Sequence, residues 1–164
     1  MNRLLAVAVL LAWAALPLAA SAAAHAGDPE PALSLPTSNG KTLTLTSFKG
    51  RPLYLNFFAT WCPPCNAEAP SVGKLAGKYA KRGLAVVGID ELESASKAQS
   101  FLTQYHLSYP AAVDTDGAAL RDFGGIGLPV HIFIDRSGKI KLIRQGEMSP
   151  AEIEAAIRSI LPSP

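Results

Sequence analysis

Cysteine is almost missing from this chain: 164 residues hold only Cys62 and Cys65. Two thiols cannot make a network of staples, and a bridge across two intervening residues removes little unfolded-chain entropy. No cysteine lies near the N-terminal apolar segment, which excludes lipid attachment of the bacterial lipoprotein kind. An excess of charge is missing too. Setting aside residues 1–26 removes only Arg3 and leaves 14 basic against 13 acidic residues. A nucleic-acid binder would carry a basic face or stripe, and a membrane-surface helix a polybasic cluster; the sequence has neither. There is no internal repeat, and low complexity is confined to the alanine-rich start and a short proline-containing linker, Asp28 to Pro31. The length suits one domain with a real core.

The N-terminus has the layout of a secretory signal. Met1-Asn2-Arg3 is a short basic head, Leu4 to Leu18 is almost wholly apolar, and small residues run from Ala19 through Ala26. Ala24-His25-Ala26 satisfies the small-x-small rule and places cleavage before Gly27, with a site a few residues earlier as the neighbouring option. An uncleaved anchor is the alternative, although the apolar run is short for a span of about 20 residues and Pro17 interrupts it. In both cases residues 27–164 form the working domain outside the cytoplasm, where disulfides persist.

Trp61-Cys62-Pro63-Pro64-Cys65 sits where an apolar strand turns into a helix. Thiols at this spacing close a small ring without moving the fold, which suits reversible electron transfer. A structural disulfide or half of a metal site is the competing interpretation.

Around this motif the pattern reads as α/β. Ala32–Leu35 and Lys41–Leu45 form a hairpin about Ser38-Asn39-Gly40. Arg51 to Ala59 is a near-continuous apolar run suited to a central strand buried on both faces. A helix follows from Pro63 to about Arg82, prolines being tolerated in the first turn, and Leu84–Ile89 is a second buried strand. Helix over Ser94–Tyr105, strand over Tyr109–Val113, and a turn with a short helix over Asp114–Phe123 come next. Val130–Ile134 and Lys139–Gln145 pair about Asp135-Arg136-Ser137-Gly138. Ser149-Pro150-Ala151-Glu152 opens a last helix running to about Leu161. This order argues for one sheet with helices on both faces.

Three motifs together resemble the thioredoxin superfamily, and within it the TlpA/ResA-like thiol–disulfide oxidoreductases, a branch that includes the cytochrome c maturation reductases. They are Leu55-Asn56-Phe57-Phe58-Ala59-Thr60-Trp61-Cys62-Pro63-Pro64-Cys65, Val86-Val87-Gly88-Ile89-Asp90, and Gly127-Leu128-Pro129 before Ile132-Phe133-Ile134-Asp135. The resemblance covers essentially all of residues 27–164. It implies a thioredoxin-like fold, a central mixed β-sheet flanked by helices, with an N-terminal β-hairpin and a central αβ insertion from about Glu93 to Phe123. It also implies that Cys62 is the nucleophile, at a helix N-terminus that favours a thiolate, and that the more buried Cys65 resolves the mixed disulfide. Pro129 is then a cis-proline against the dithiol, leaving the Leu128 backbone to pair with an extended substrate strand. Trp61 is a partly exposed aromatic that helps dock substrate, with simple packing as the alternative.

Two departures matter. Pro63 and Pro64 remove two backbone N–H groups, so the Cys65 N–H is the first donor left for the Cys62 sulfur, and a modestly depressed thiol pKa and a reducing protein are expected. Asn56 stands where ordinary thioredoxins carry a buried Asp, and Asn takes up no proton at neutral pH. The resemblance moves the proton acceptor to Glu93, with Asp90 and Glu91 as weaker candidates, and burial is expected to raise the Glu93 pKa. His131 reads as a satisfied sheet histidine, His106 as a surface or cap residue, and His25 as leaving with the leader.

The expected activity is reduction of disulfides in exported proteins, apocytochrome c or copper proteins among them, in the periplasm or an equivalent compartment. A membrane electron donor would recharge the dithiol; no cofactor, resident metal or nucleic-acid partner is expected. A copper-site maturation reductase or metallochaperone, using both thiols and His131, is the alternative. A peroxiredoxin-like peroxidase needs Thr or Ser three residues before its reactive Cys, and Ala59 stands there.

Overall fold

The computed structural model describes residues 23–162, so residues 1–22, and with them most of the expected leader, lie outside the described part. Two sheets are present. β1 (Ser34–Pro36) and β2 (Thr42–Thr44) form the antiparallel hairpin, and a 3₁₀ turn over Leu45–Phe48, not anticipated from sequence, follows it. The main sheet contains β3 (Leu53–Phe58), β4 (Ala85–Glu91), β5 (Ala111–Asp114), β6 (Val130–Ile134) and β7 (Ile140–Gln145), in the order β5-β4-β3-β6-β7. β3, β4 and β5 run parallel, while β6 and β7 are antiparallel, so the sheet is mixed. The helices are α1 (Pro63–Ala80), α2 (Ala95–Gln104), α3 (Ala118–Asp122) and α4 (Pro150–Ile160). The expected elements are present with ends shifted by a few residues, and Ser149 and Glu152 close a full capping box on α4.

The pleat of the central strands sorts side chains into two layers. Tyr54, Phe58, Val86 and Phe133 join the layer built by α1, α2 and α4, which also holds Cys62 and Cys65. Leu53, Leu55, Phe57, Val87, Ile89, Val130 and Ile132 face the opposite layer, with the hairpin and α3. Every residue of β3, β4 and β6 is buried, which explains the unbroken apolar runs.

The segment before β1 departs from expectation. Residues 28–31 were anticipated as a linker and 23–26 as part of the leader, yet they lie along the edge of β7. Gly27 N–H donates to Ile140 O at 2.8 Å, Ile140 N–H to Asp28 O at 2.9 Å, and Glu30 N–H to Gly138 O at 2.9 Å. Ala24 is buried, and its N–H donates to Asp122 O at 2.9 Å. The exposed backbone edge of β7 supplies the partners that make this stretch part of the fold.

Candidate active site

β3 delivers Thr60 and Trp61 to the start of α1, and Cys62 is the N-cap of that helix. Cys62 and Cys65 are joined by a disulfide with a Cα–Cα distance of 5.3 Å. The Cys65 N–H points at Cys62 Sγ, 3.3 Å away, while Pro63 and Pro64 occupy the first helical positions and donate nothing. Cys65 is not the more buried of the two: Cys62 is 2% exposed and Cys65 4%. In the closed ring the side chains are tied together, so burial does not rank them. Only the position of Cys62 at the helix start distinguishes it.

The loop ahead of the dithiol is clamped from two sides. Glu93 accepts from the Thr60 N–H at 2.6 Å and from the Thr60 hydroxyl at 2.7 Å. Asn66, one residue past Cys65, donates to Thr60 O at 3.0 Å and to Cys62 O at 2.9 Å, and accepts from the Tyr105 hydroxyl at 2.9 Å. The Thr60–Asn66–Tyr105 chain was not anticipated, because its members come from three separate elements.

Glu93 does not behave as expected. Partial burial works to raise its pKa, but the Thr60 N–H and hydroxyl, the Asp90 carboxyl and the Lys97 charge outweigh it and hold Glu93 below the ordinary glutamate range. Asp90 is the neighbour that goes up. Fully buried, it is raised to about 8 by burial first, then by the charge and side-chain contact of Glu93, with the Glu91 backbone N–H opposing. Asp90 pairs in register with Phe58, on the layer that holds the dithiol. Glu91, the next residue on the strand, therefore points to the other layer. There it meets Asp114, and burial first and Asp114 second raise it to about 7.

A second buried group was missed. Glu68 lies on α1 three residues after Cys65, on the helix face turned to the core. Its Oε1 accepts from the Met148 N–H, and its Oε2 faces His131 Nε2 at 3.3 Å, off the line of an ideal hydrogen bond. His131 is fully buried, and its Nδ1 lies 2.7 Å from the Tyr54 hydroxyl and 3.4 Å from Asn56 Nδ2. Burial raises Glu68 to about 7, the Met148 N–H opposing and Glu147 adding to the shift. Burial lowers His131 to about 4, with a Gly146 backbone bond opposing and Arg144 adding. An acidic residue on the core face of an otherwise apolar helix was the available signal. His131 is thus a sheet histidine with one nitrogen satisfied and the other aimed at a carboxyl.

The Leu128–Pro129 bond is cis, as expected. Leu128 immediately precedes the β6 ladder, whose first pair is Val130 with Phe57. The approach loop is tied to β7 by Gln145, which accepts from the Ile126 N–H at 3.4 Å and donates to Gly124 O at 2.9 Å. Trp61 is 63% exposed beside the dithiol. Among the described residues, no three His, Cys, Asp or Glu side chains come together in a way that could hold a metal ion, so the thiols and His131 do not form such a group. No helix of the described residues is long and apolar enough to cross a membrane.

Comparison with known proteins places these features. The Redoxin family profile matches residues 25–157. The thiol-disulfide oxidoreductase ResA of Bacillus thuringiensis subsp. konkukian is 35% identical over 123 residues, 75% of this chain and 71% of the relative. ResA of Geobacillus thermodenitrificans is 31% identical over 136 residues, covering 83% and 78%. Among solved structures, a thioredoxin-family thiol:disulfide interchange protein from Chlorobium tepidum shares 32% identity with a TM-score of 0.74, over 85% of this chain and 100% of that one. A secreted disulfide oxidoreductase of Mycobacterium tuberculosis shares 27% identity with a TM-score of 0.71, over 77% and 95%. With the dithiol at the start of α1 and the cis-proline leading β6, the chain belongs to the Redoxin family, as a thioredoxin-fold, ResA-like thiol–disulfide oxidoreductase.

Proposed function

We propose that the protein works outside the cytoplasm as a reductant, passing electrons from the Cys62–Cys65 dithiol to disulfides of exported proteins such as apocytochrome c. The observation that carries this reading is the donor set of Cys62: one backbone N–H at 3.3 Å, with prolines in the next two positions. A weakly stabilised thiolate makes the dithiol readier to give up electrons.

In the forward step the Cys62 thiolate attacks one sulfur of the substrate disulfide, forming a mixed disulfide and expelling the other as a thiolate. Cys65 loses its proton, attacks Cys62 Sγ and closes the internal disulfide, releasing the second substrate thiolate. Two electrons and two protons pass to the substrate. Asp90 takes the Cys65 proton in its ionised form: Glu93 stays ionised on Thr60, and Asp90, on the dithiol layer and raised to about 8, becomes available as an acceptor as pH approaches that value. Leu128 and Pro129 supply the edge along which the substrate strand lies, and Trp61 covers its apolar flank. A membrane electron donor restores the dithiol, because the compartment itself is oxidising.

Replacing Cys65 by Ser in the native host tests the whole scheme. Mixed disulfides should accumulate through Cys62, and mass analysis of the partners should find exported cysteine proteins, apocytochrome c or copper-site proteins among them. Recovery of only the oxidised form in wild-type cells, with no trapped partner, would overturn the reductant role.

A further inference from the structure

The loop that carries the cis-proline is held by few groups of its own. Gly124-Gly125-Ile126-Gly127-Leu128-Pro129 contains three glycines, so fixing it costs more backbone entropy than fixing an ordinary loop. Its ends are tied by backbone. Gly124 N–H donates to Arg121 O at 2.9 Å, Gly125 N–H to Leu120 O at 2.8 Å, and Pro129 O accepts from the Gly146 N–H at 2.8 Å. Between those ends stands the Gln145 side chain, whose bonds to Gly124 O and the Ile126 N–H are exposed to water. Ile126 itself is 93% exposed.

The N-terminal strap closes on the start of this loop. Residues 27–30 follow the edge of β7. Ahead of them a turn reverses the chain: His25 N–H donates to Asp28 Oδ2 at 2.9 Å, and Asp28 N–H to His25 O at 3.1 Å. That turn brings Ala23 and Ala24 to the end of α3, where Ala24 joins the buried cluster of Leu120, Phe123 and Val130. A Cβ on Gly124, whose φ is +74°, would stand 3.1 Å from Ala24 O and 3.7 Å from Ala23 Cβ, so the strap is seated on this glycine. Ala23, Ala24 and His25 wall a pocket completed by Gly124, Leu142 and Gln145. The strap therefore stands beside both partners of the Gln145–Gly124 bond. Packed there, it takes water from one side of a bond that is otherwise exposed, and competition from water is what weakens such bonds.

We propose that residues 23–26 are a positioning segment for the substrate loop. Seated on Gly124, they hold that residue for Gln145, and Gln145 holds Ile126 and the approach to Leu128 and Pro129 in the shape that receives the substrate strand. The working protein must then keep Ala23 and Ala24. A second small-x-small triplet, Ala20-Ser21-Ala22, stands directly ahead of the strap. Hydrolysis of the Ala22–Ala23 peptide bond by a leader peptidase, water giving the Ala22 carboxylate and a free Ala23 amine, leaves the strap whole. Hydrolysis of the Ala26–Gly27 bond removes it. The effect on turnover rests on the reading of Leu128 as the substrate edge, whereas the hold on the loop is a property of the free protein.

The experiment compares reduced proteins beginning at Ala23 and at Gly27, both of which keep the pairing of Gly27 with Ile140. In single-turnover reduction of an oxidised two-cysteine peptide, the half-saturating peptide concentration should be roughly fivefold higher for the Gly27 start, as when a loop must be ordered at binding. The limiting rate should not change. Reduction of hydroxyethyl disulfide, which has no backbone to lie along Leu128, should be equal in the two proteins. Exchange of the Ile126 amide hydrogen should be several-fold faster in the Gly27 start. Gln145→Ala in the longer protein should match the Gly27 start, and removing residues 23–26 from that variant should add little. Protein recovered from the native host should retain Ala23 by intact mass. Equal half-saturation with equal exchange, additive losses, slower reduction of both disulfides, or a natural start at Gly27 would overturn the proposal. If the peptide has no advantage over the small disulfide in the longer protein, the substrate-edge reading fails, and amide exchange decides whether the strap holds the loop. If the Gly27 start does not fold, Ala24→Pro, which removes the N–H given to Asp122 O, is read in the same way.

Discussion

Glu93 and Thr60 are 33 residues apart in sequence and joined twice, backbone N–H to Oε2 at 2.6 Å and hydroxyl to Oε1 at 2.7 Å. The carboxylate that the family resemblance marked as a proton acceptor is thus an anchor for the loop that presents the dithiol. Its charge helps raise the pKa of its buried neighbour Asp90.

Removing this anchor should have two separable effects. Glu93→Ala leaves a part-buried N–H unpaired and should cost about 1–3 kcal/mol in denaturant unfolding. Glu93→Gln can still accept from that N–H while donating to the hydroxyl, so its cost should be smaller. Loss of the Glu93 charge should also bring the Asp90 pKa down from about 8, read by ¹³C shifts of the Asp90 carboxyl.

Asp90→Asn removes the group proposed to take the Cys65 proton while keeping its volume. Resolution of a preformed mixed disulfide should slow about 100-fold in single-turnover measurements, with little change in the Cys62 attack. An unchanged resolving rate would return the role to Glu93 or to solvent.

Stability should fall from mildly acidic to alkaline pH. Glu68, Asp90 and Glu91 have folded pKa values near 7, 8 and 7, raised above their unfolded values, so the stability they contribute is complete below the unfolded values and lost as pH rises through the folded ones. His131 acts in the other direction: its folded value near 4 lies below the unfolded one, so its contribution is lost as pH falls from about 6.5 to 4. Three falling contributions outweigh the single rising one, so the melting temperature should be highest near about pH 4 to 5 and drop on the order of 5 °C by about pH 8, measured by calorimetry on the oxidised protein.

The N-terminal strap predicts a difference between two starts of the chain. A protein beginning at Gly27 lacks the buried Ala24 and its bond to Asp122 O, and it should melt about 2–4 °C below one beginning at Ala23. Equal melting temperatures would show the strap contributes nothing.

Asn66→Ala tests the second clamp. It removes donors to Thr60 O and Cys62 O, so a loss of about 1–2 kcal/mol is expected. Tyr105→Phe removes a single bond to the same amide and should cost less. Both are read by chemical unfolding.

Much of this protein is legible in its residues because the signals are local. The apolar run through Leu53–Phe58 demands burial on both faces. Ser149 and Glu152 cap the last helix within one turn, and Cys62-Pro63-Pro64-Cys65 states both the chemistry and the scarcity of donors around it. The resemblance carried by three motifs supplied the cis bond at Pro129. Local signals also misled: residues 24–30 read as leader and linker, since nothing in their composition reveals that β7 has a free edge to receive them.

Tertiary structure decided which charges reach the dithiol. Asp90 and Glu91 are adjacent and chemically alike, yet the pleat sends one to the layer of Cys62 and Cys65 and the other to Asp114. Glu68 and His131 belong to different elements, α1 and β6, and meet in the layer that the helices build over this face of the sheet. Composition and spacing place two thiols three positions apart. The sheet, by fixing which side chains share a buried face, sets the protonation states around them.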